Sequence, residues 1–226
     1  MANESLLKSS IGKKFAMALS ALFLLVFLLQ HFVINLLSVV YPEGFNEVSA
    51  FMSANPIIQF VMQPVLLFGV VYHFVMGFVL EIQNKKARGP VAYAKYNGAA
   101  NATWMSRNMI ISGAVILLFL LVHLWQFWVP TIDAHYISQD PQFGQGNFFM
   151  DHVNHVFTNV VTLVLYVLAF VFLSLHLQHG FSSAFQSIGA RHPKYTPAIV
   201  AFGKWYSILI PAGFIVIAIY HFVNNL

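Results

Sequence analysis

The chain has 226 residues, of which 59% are hydrophobic and 8% are charged, and its formal net charge is +4. Soluble domains usually carry about 25% charged residues, so this composition excludes an ordinary soluble globular domain, and the high hydrophobicity excludes a disordered chain. Cysteine is absent from the sequence. That absence excludes disulfide bonds, iron–sulfur ligation by this chain and thioether attachment of a c-type haem.

Five apolar stretches are long enough to cross a bilayer, which takes about 20 helical residues. The first is too long for the apolar core of a signal peptide and no suitable cleavage site follows it, so we expect it to be retained. Strand-like alternation is absent. The sequence therefore predicts an all-α fold, with residues 1–226 forming a single integral membrane domain of five transmembrane helices. The predicted spans are roughly Phe15–Val40, Ile57–Ile82, Met109–Val129, Val156–Leu177 and Trp205–Val223.

All 11 Lys and Arg residues fall on one side of these spans, which we name the inner side. The opposite, outer side carries Glu43, Glu47, Asp133, Asp140 and Asp151. Because basic loops stay in the cytoplasm, the sequence predicts a cytoplasmic N-terminus. No nucleic-acid recognition motif accompanies the positive charge, so we expect no nucleic-acid partner. The basic residues are Lys8, Lys13, Lys14, Lys85, Lys86, Arg88, Lys95, Arg107, Arg191, Lys194 and Lys204.

Four histidines lie inside four different spans, where an ionisable side chain is costly and calls for a functional account. The spans of His31 and His123 run outward, and at 1.5 Å per residue both histidines lie roughly 9–14 Å below the outer boundary. The spans of His73 and His176 run inward, and both histidines lie in the inner part of their span. Depth therefore divides the four residues into an outer pair and an inner pair.

Each pair predicts a haem b site, because neutral imidazole is a common metal ligand and a usual axial ligand of haem iron. His31 and His123 would bind the iron of an outer haem, and His73 and His176 that of an inner haem. Zinc is disfavoured, since structural zinc sites typically have four ligands and often use Cys. For any one of these residues alone, a hydrogen-bonded packing role is the alternative.

Small and aromatic neighbours support a flat ligand. Gly69 and Gly77 lie four residues either side of His73, and Gly180 lies four residues after His176, so these glycines share the helical faces of the inner pair. They would admit a porphyrin, although such patterns also mediate plain helix packing. The outer pair lacks such glycines, and its candidate packing residues are Phe27, Phe119 and Trp125.

Polar residues give further candidates. Lys14 and Arg107, near inner span ends, are candidates for the inner haem propionates or for lipid headgroups. Gln30, Gln59 and Gln63 are candidate donors to a quinone in an apolar slot, with ordinary helix–helix contacts as the alternative. Pro64 would free a backbone carbonyl in the same region.

The remaining histidines are weaker candidates. His179 lies three residues after His176, on nearly the same helical face, and is therefore the rival inner ligand. His221 ends the last span and is predicted to be an interfacial residue. Three outer histidines would hold a propionate, relay protons or face water, and they are His135, His152 and His155.

Four segments resemble the cytochrome b subunit of succinate:quinone oxidoreductases, which are respiratory complex II, and most closely its single-chain, five-helix, di-haem type. They are LLQHFVIN around His31, YHFVMGF around His73, VHLWQ around His123 and HLQHGFSSAFQSIG from His176. The resemblance covers nearly the whole chain. It implies that His73 and His176 ligate the proximal haem, that His31 and His123 ligate the distal haem, and that the position of His179 need not be histidine.

The resemblance also implies a function. The chain would be the multi-pass membrane anchor of succinate dehydrogenase in the bacterial cytoplasmic membrane, without succinate chemistry of its own. A flavoprotein with covalent FAD and an iron–sulfur protein would dock on its cytoplasmic face, and electrons would pass through two haems to a quinone, menaquinone in this type. Some fumarate-reducing relatives carry intramembrane glutamates. Here Glu81 is the acidic residue within a span and Ser174 stands two residues before His176, which argues against a glutamate-based proton path.

Two other classes fit part of the sequence. A different di-haem cytochrome b, such as the membrane subunit of a formate dehydrogenase or a hydrogenase, fits the histidines but not all four segments. A haem-free transporter or anchor fits the hydropathy alone. Transporters often contain inverted repeats and broken helices, and we recognise no convincing repeat at this level.

Overall fold

The structure is a computed structural model that describes residues 9–88 and 108–226. Within these ranges all regular elements are helical, and five helices are long and apolar enough to cross a membrane. The predicted all-α bundle with five spans is therefore confirmed. The long helices are α1 (Ser10–Val40), α3 (Gln63–Arg88, preceded by a π-helical turn at Ile58–Met62), α4 (Met109–Ile137), α6 (Val160–Ser187) and α7 (Thr196–Asn224).

Most helices are longer than the predicted spans, because helical structure continues past the last apolar residue into capped, polar ends. Ser9 caps α1, where its hydroxyl accepts a hydrogen bond from the N–H of Gly12 at 3.0 Å. The fourth span begins later than predicted, at Val160, because Asn159 caps α6 and accepts from the N–H of Val161 at 2.8 Å.

Two short helices on the outer side were not predicted. They are α2 (Pro42–Ala54) and α5 (Phe148–Val156), and they pack against each other. The side-chain oxygen of Asn46 accepts a hydrogen bond from the backbone N–H of Met150 at 3.0 Å, which ties the start of α5 to α2. Phe45 of α2 and Val153 of α5 are buried. The two helices therefore extend the apolar core beyond the ends of the long helices.

The core lies mainly between α6 and α7, and α1 packs against both. Helix α3 packs on α1, and α4 packs on α6. Tyr206 of α7 donates a hydrogen bond to the carbonyl of Leu25 on α1 at 2.6 Å. The ring of Phe214 on α7 lies 5.3 Å from that of Phe32 on α1 and 5.2 Å from that of Phe170 on α6. These contacts fix the mutual positions of α1, α6 and α7.

Helix α4 is irregular after its first fifteen residues. It changes to π-helical geometry at Leu124–Trp128 and again at Asp133–Ile137. Pro130 lies between these segments and has no N–H to donate to the carbonyl of Gln126, four residues earlier. That carbonyl instead lies 2.7 Å from Nε2 of His152. The proline thus frees a backbone acceptor that connects α4 to α5.

Candidate functional site

The four membrane histidines form two ring pairs. The ring centroids of His31 on α1 and His123 on α4 are 5.7 Å apart, with the ring planes at 85°. Those of His73 on α3 and His176 on α6 are 6.3 Å apart, at 69°. The structure therefore brings together the same partners that the depth argument joined. It is His176, rather than His179, whose ring lies beside that of His73.

Serine hydroxyls orient both histidines of the inner pair. Oγ of Ser20 lies 3.3 Å from Nδ1 of His73, and Oγ of Ser112 lies 3.1 Å from Nδ1 of His176. Each hydroxyl proton is already donated to a carbonyl three residues earlier, at 2.7 Å for Ser20 and 2.9 Å for Ser112. In this arrangement the serine oxygens accept from the imidazoles, with the ring proton on Nδ1 and the Nε2 lone pair free.

A tyrosine hydroxyl contacts Nδ1 of His123 in the outer pair, as the serine hydroxyls do in the inner pair. The hydroxyl of Tyr166 lies 3.3 Å from Nδ1 of His123 and donates to Oε1 of Gln126 at 2.8 Å. Because its proton is used on Gln126, the tyrosine oxygen accepts from His123, so Nε2 of His123 is also unprotonated. His31 has an amide rather than a hydroxyl beside its ring. The side-chain nitrogen of Asn35 lies 3.5 Å from Nδ1 and 3.4 Å from Nε2 of His31. The same nitrogen donates to the backbone carbonyl of His31 at 2.8 Å.

Helices α1 and α4 carry the same short pattern. Ser20 precedes His31 by eleven residues, and Ser112 precedes His123 by eleven, so each helix presents its serine and its histidine on one face, about three turns apart. A phenylalanine also lies four residues before each histidine. The segments are SALFLLVFLLQH and SGAVILLFLLVH. This repeat was visible in the sequence and was missed in the search for repeats.

The repeated phenylalanines pack on the outer histidines. The ring of Phe27 is stacked with that of His31 at 5.5 Å, and the ring of Phe119 is stacked with that of His123 at 5.6 Å. Both are i, i+4 contacts along one helix. Trp125, the third aromatic residue predicted to line this region, is 72% exposed.

The three predicted glycines face side chains of neighbouring helices. A Cβ added to Gly69 would lie 3.0 Å from Cε1 of Phe23, and one added to Gly180 would lie 3.3 Å from Cε of Met109. Gly77 has more room, with Cε of Met17 at 3.7 Å. Gly113, which sequence reasoning missed, faces His176 itself, with Cε1 at 3.6 Å. Packing of these glycines against a haem stays a prediction.

The glutamine candidates differ in their surroundings. Gln59 is buried, and its amide donates to the carbonyl of Met52 at 3.0 Å, so one donor is engaged within the fold. Oε1 of Gln63 accepts from Nε1 of Trp128 at 3.2 Å, which joins α3 to α4. Gln30 is exposed beside His31. Their contact with a quinone stays a prediction.

The remaining histidines and basic candidates are spread over the structure. His152 contacts α4 as described above, and Nδ1 of His135 is buried among aromatic rings with no hydrogen-bond partner in the described part of the chain. His155 is exposed, as is Lys14, while His179 is half-buried. Arg107 lies outside the described residues. Roles of Lys14 and Arg107 toward propionates stay predictions.

The prediction for His221 was wrong. This side chain is 1% exposed, with Nε2 2.8 Å from Oγ of Ser38 and Nδ1 2.9 Å from Oδ1 of Asn154. The cause is α5, which brings Asn154 over the end of α7. The sequence of the last span alone does not reveal that α5 buries this histidine.

Within residues 9–88 and 108–226, the groups that contact the ring pairs are uncharged. Hydroxyl, amide and phenyl groups contact the four imidazoles, and the ion pair of Lys85 with Glu81, at 3.2 Å, lies at the inner end of α3. Nowhere in residues 9–88 and 108–226 do three or more His, Cys, Asp or Glu side chains cluster as a metal site. Each pair therefore offers two imidazoles and no third protein ligand in this part of the chain.

Comparison with known proteins gives one informative similarity. Over 102 residues the chain is 26% identical to the succinate dehydrogenase cytochrome b558 subunit of Bacillus subtilis (strain 168). The matched region is 45% of this chain and 46% of that subunit, so it spans about half the length of each. No family model and no solved structure matches the chain. The chain is thus similar in part to a cytochrome b subunit of succinate dehydrogenase.

Proposed function

We propose that the chain, as a single membrane domain over residues 1–226, is the di-haem b anchor subunit of a succinate:quinone oxidoreductase. It passes electrons from a flavoprotein and an iron–sulfur protein to a membrane quinone. The observation that carries this proposal is the arrangement of four imidazoles from four helices as two pairs, at 5.7 and 6.3 Å. The similarity to the cytochrome b558 subunit supports the choice of complex.

The two imidazoles of each pair would hold one haem iron between them. A metal bonded at roughly 2 Å to one nitrogen of each imidazole separates the two ring centroids by about 6 Å. In three of the four rings a hydroxyl oxygen holds the proton on Nδ1, which leaves Nε2 as the donor atom. Zinc is disfavoured, since the described residues add no further ligand to either pair and a four-coordinate site needs more than two.

The residues of the chain determine how such a site works. A haem held by two imidazoles supplies one-electron transfer and has no open iron position for oxygen. The hydroxyl groups of Ser20, Ser112 and Tyr166 orient the ligands and tune their basicity. Phe27 and Phe119 exclude water from the outer pair by stacking on its rings. Uncharged surroundings keep the electrostatic influence of these few polar groups strong.

Further contacts complete the proposal. Gly69, Gly77 and Gly180 pack against the inner haem, and Lys14 and Arg107 hold its propionates. The quinone, menaquinone in this type of anchor, takes its hydrogen-bond donors from Gln30, Gln59 and Gln63. The basic inner side faces the bacterial cytoplasm and carries both partner subunits, because positive loops stay on that side.

The decisive experiment is purification of the tagged full-length chain from cells with ample haem supply. We expect two b-type haems per chain in the visible spectrum and the pyridine haemochromogen assay. We also expect copurification of a flavoprotein and an iron–sulfur protein. A colourless chain would refute the haem sites and favour a haem-free anchor or transporter. Two haems with a formate dehydrogenase or hydrogenase as partner would retain the cytochrome and refute the complex.

A further inference from the structure

The outer and inner pairs are held by different groups. Serine oxygens accept from both inner histidines, whereas the acceptor for His123 in the outer pair is the phenol of Tyr166. The phenolic oxygen is held at the end of a long, rigid aromatic side chain, whereas the serine oxygen is held on a short one. This difference gives the two pairs different surroundings within one bundle.

Tyr166 is fixed from several sides. It is 3% exposed, and the rings of Phe119, Phe157 and Phe170 lie 4.9, 5.1 and 5.9 Å from its ring. Its hydroxyl proton is committed to Oε1 of Gln126. With its proton donated to Gln126, the phenol oxygen acts as the acceptor toward His123.

Gln126 is itself anchored. It lies in the π-helical segment that follows His123, and its backbone carbonyl, which Pro130 leaves free, lies 2.7 Å from Nε2 of His152 on α5. A continuous series of polar contacts thus leads from His152 through Gln126 and Tyr166 to His123. The groups facing His123 from α1, α4 and α6 are His31, Phe119, Phe127 and Tyr166.

We infer that Tyr166 is a positioning residue that sets the reduction potential of the outer haem. This inference rests on the proposed function. An acceptor on Nδ1–H increases the basicity of the ligating Nε2, which stabilises ferric iron and lowers the potential. Gln126 supports this effect by keeping the tyrosine oxygen available as an acceptor.

The experiment is a redox titration of the full-length protein, followed by visible absorption. Tyr166→Phe is expected to shift the midpoint potential of the outer haem upward and to leave that of the inner haem unchanged. The single haem retained by His176→Ala identifies which potential belongs to the outer pair. Gln126→Leu is expected to give a smaller upward shift, and it tests the inference independently if Tyr166→Phe does not accumulate.

The matched control is Tyr206→Phe. Tyr206 is also buried, but its hydroxyl donates to the carbonyl of Leu25 rather than contacting a histidine. We expect both potentials to stay unchanged in this variant. An unchanged outer potential in Tyr166→Phe, or an equal shift in Tyr206→Phe, would overturn the inference while leaving the haem sites intact. Absence of haem from the unaltered chain would instead refute the proposed function.

Discussion

Ser38 and His221 connect the first and last helices through a buried hydrogen bond. Oγ of Ser38 lies 2.8 Å from Nε2 of His221, although 183 positions separate the two residues in sequence. The hydroxyl of Ser38 also lies 2.6 Å from the carbonyl oxygen of Asn35, so it sits between that carbonyl and the imidazole. On the other side of the ring, Asn154 of α5 contacts Nδ1. Three helices therefore meet at one imidazole.

Removal of this contact is expected to destabilise the outer side of the bundle. Ser38→Ala removes the hydrogen-bond partner of Nε2 in the buried His221 ring, which costs about 1–3 kcal/mol. The measurement is thermal or denaturant unfolding of the purified protein in detergent. Ser138→Ala is the matched control, because that serine is exposed and bonds only to the Asp133 carbonyl. Equal stability of the two variants would show that the contact contributes nothing.

Each histidine pair is expected to lose its haem independently. His73→Ala or His176→Ala reduces the haem content from two per chain to one, because a single imidazole leaves an axial position of the inner iron empty. His31→Ala or His123→Ala does the same at the outer pair. The haem-to-protein ratio measures both effects.

His179→Ala and His192→Ala are the controls for that series. His192 is exposed in the loop before α7, and the ring of His179 is not the one beside His73. Both variants are expected to retain two haems. Loss of a haem in His179→Ala together with full retention in His176→Ala would contradict the inner assignment.

The two serines of the inner pair are expected to affect haem affinity without acting as ligands. Ser20→Ala or Ser112→Ala removes the acceptor of a ligating imidazole, and loss of such a partner typically weakens metal binding about 10–100-fold. Haem retention during dilution or competition with apomyoglobin measures the change. Ser112→Thr keeps the hydroxyl and should restore retention. Equal loss from the outer haem would argue for a general packing defect.

Close packing predicts the effect of glycine substitutions in α7. A Cβ on Gly203 would lie 2.5 Å from Cδ1 and 2.9 Å from Cγ of Phe181, so Gly203→Ala forces α6 and α7 apart. We expect a loss of about 1–3 kcal/mol, the usual cost of overpacking. Ala212→Val, at an exposed position of the same helix, is the control. Addition of Phe181→Leu to Gly203→Ala should recover part of the loss in the same unfolding assay.

The helices and the histidine pairs could be predicted because both depend on hydropathy along the chain and on the constant rise of a helix. Long apolar stretches give the spans, and the constant helical rise converts sequence position into depth. That calculation needs no knowledge of side-chain packing. It was sufficient to join His31 with His123 and His73 with His176, which lie on four separate helices.

The short outer helices could not be predicted in the same way. Helix α5 has nine residues and mixes Asp, His and Asn with apolar positions, so its sequence does not distinguish it from a loop. It is stable because Val153 is buried in the core and Asn46 accepts from its first turn. Its absence from the prediction also led to the wrong expectation for His221.

The hydroxyl groups beside the histidines divide into two cases. Tyr166 was not recognisable, because the sequence has nine tyrosines and the partners of this one lie 40 and 43 positions away. Ser20 and Ser112 were recognisable, since each precedes a membrane histidine by the same number of residues. The common spacing within the two spans carries that signal.

The eleven-residue interval on α1 and α4 fixes the vertical distance between the two histidine pairs. Each of these helices contacts the inner pair through its serine and supplies a ring to the outer pair, so a separation of about 16 Å along the axis follows from the regular rise of the helix. One residue inserted between Ser20 and His31 would turn the histidine by about 100° relative to the serine. Helix α1 could then no longer contact the inner pair through Ser20 and supply His31 to the outer pair at the same time.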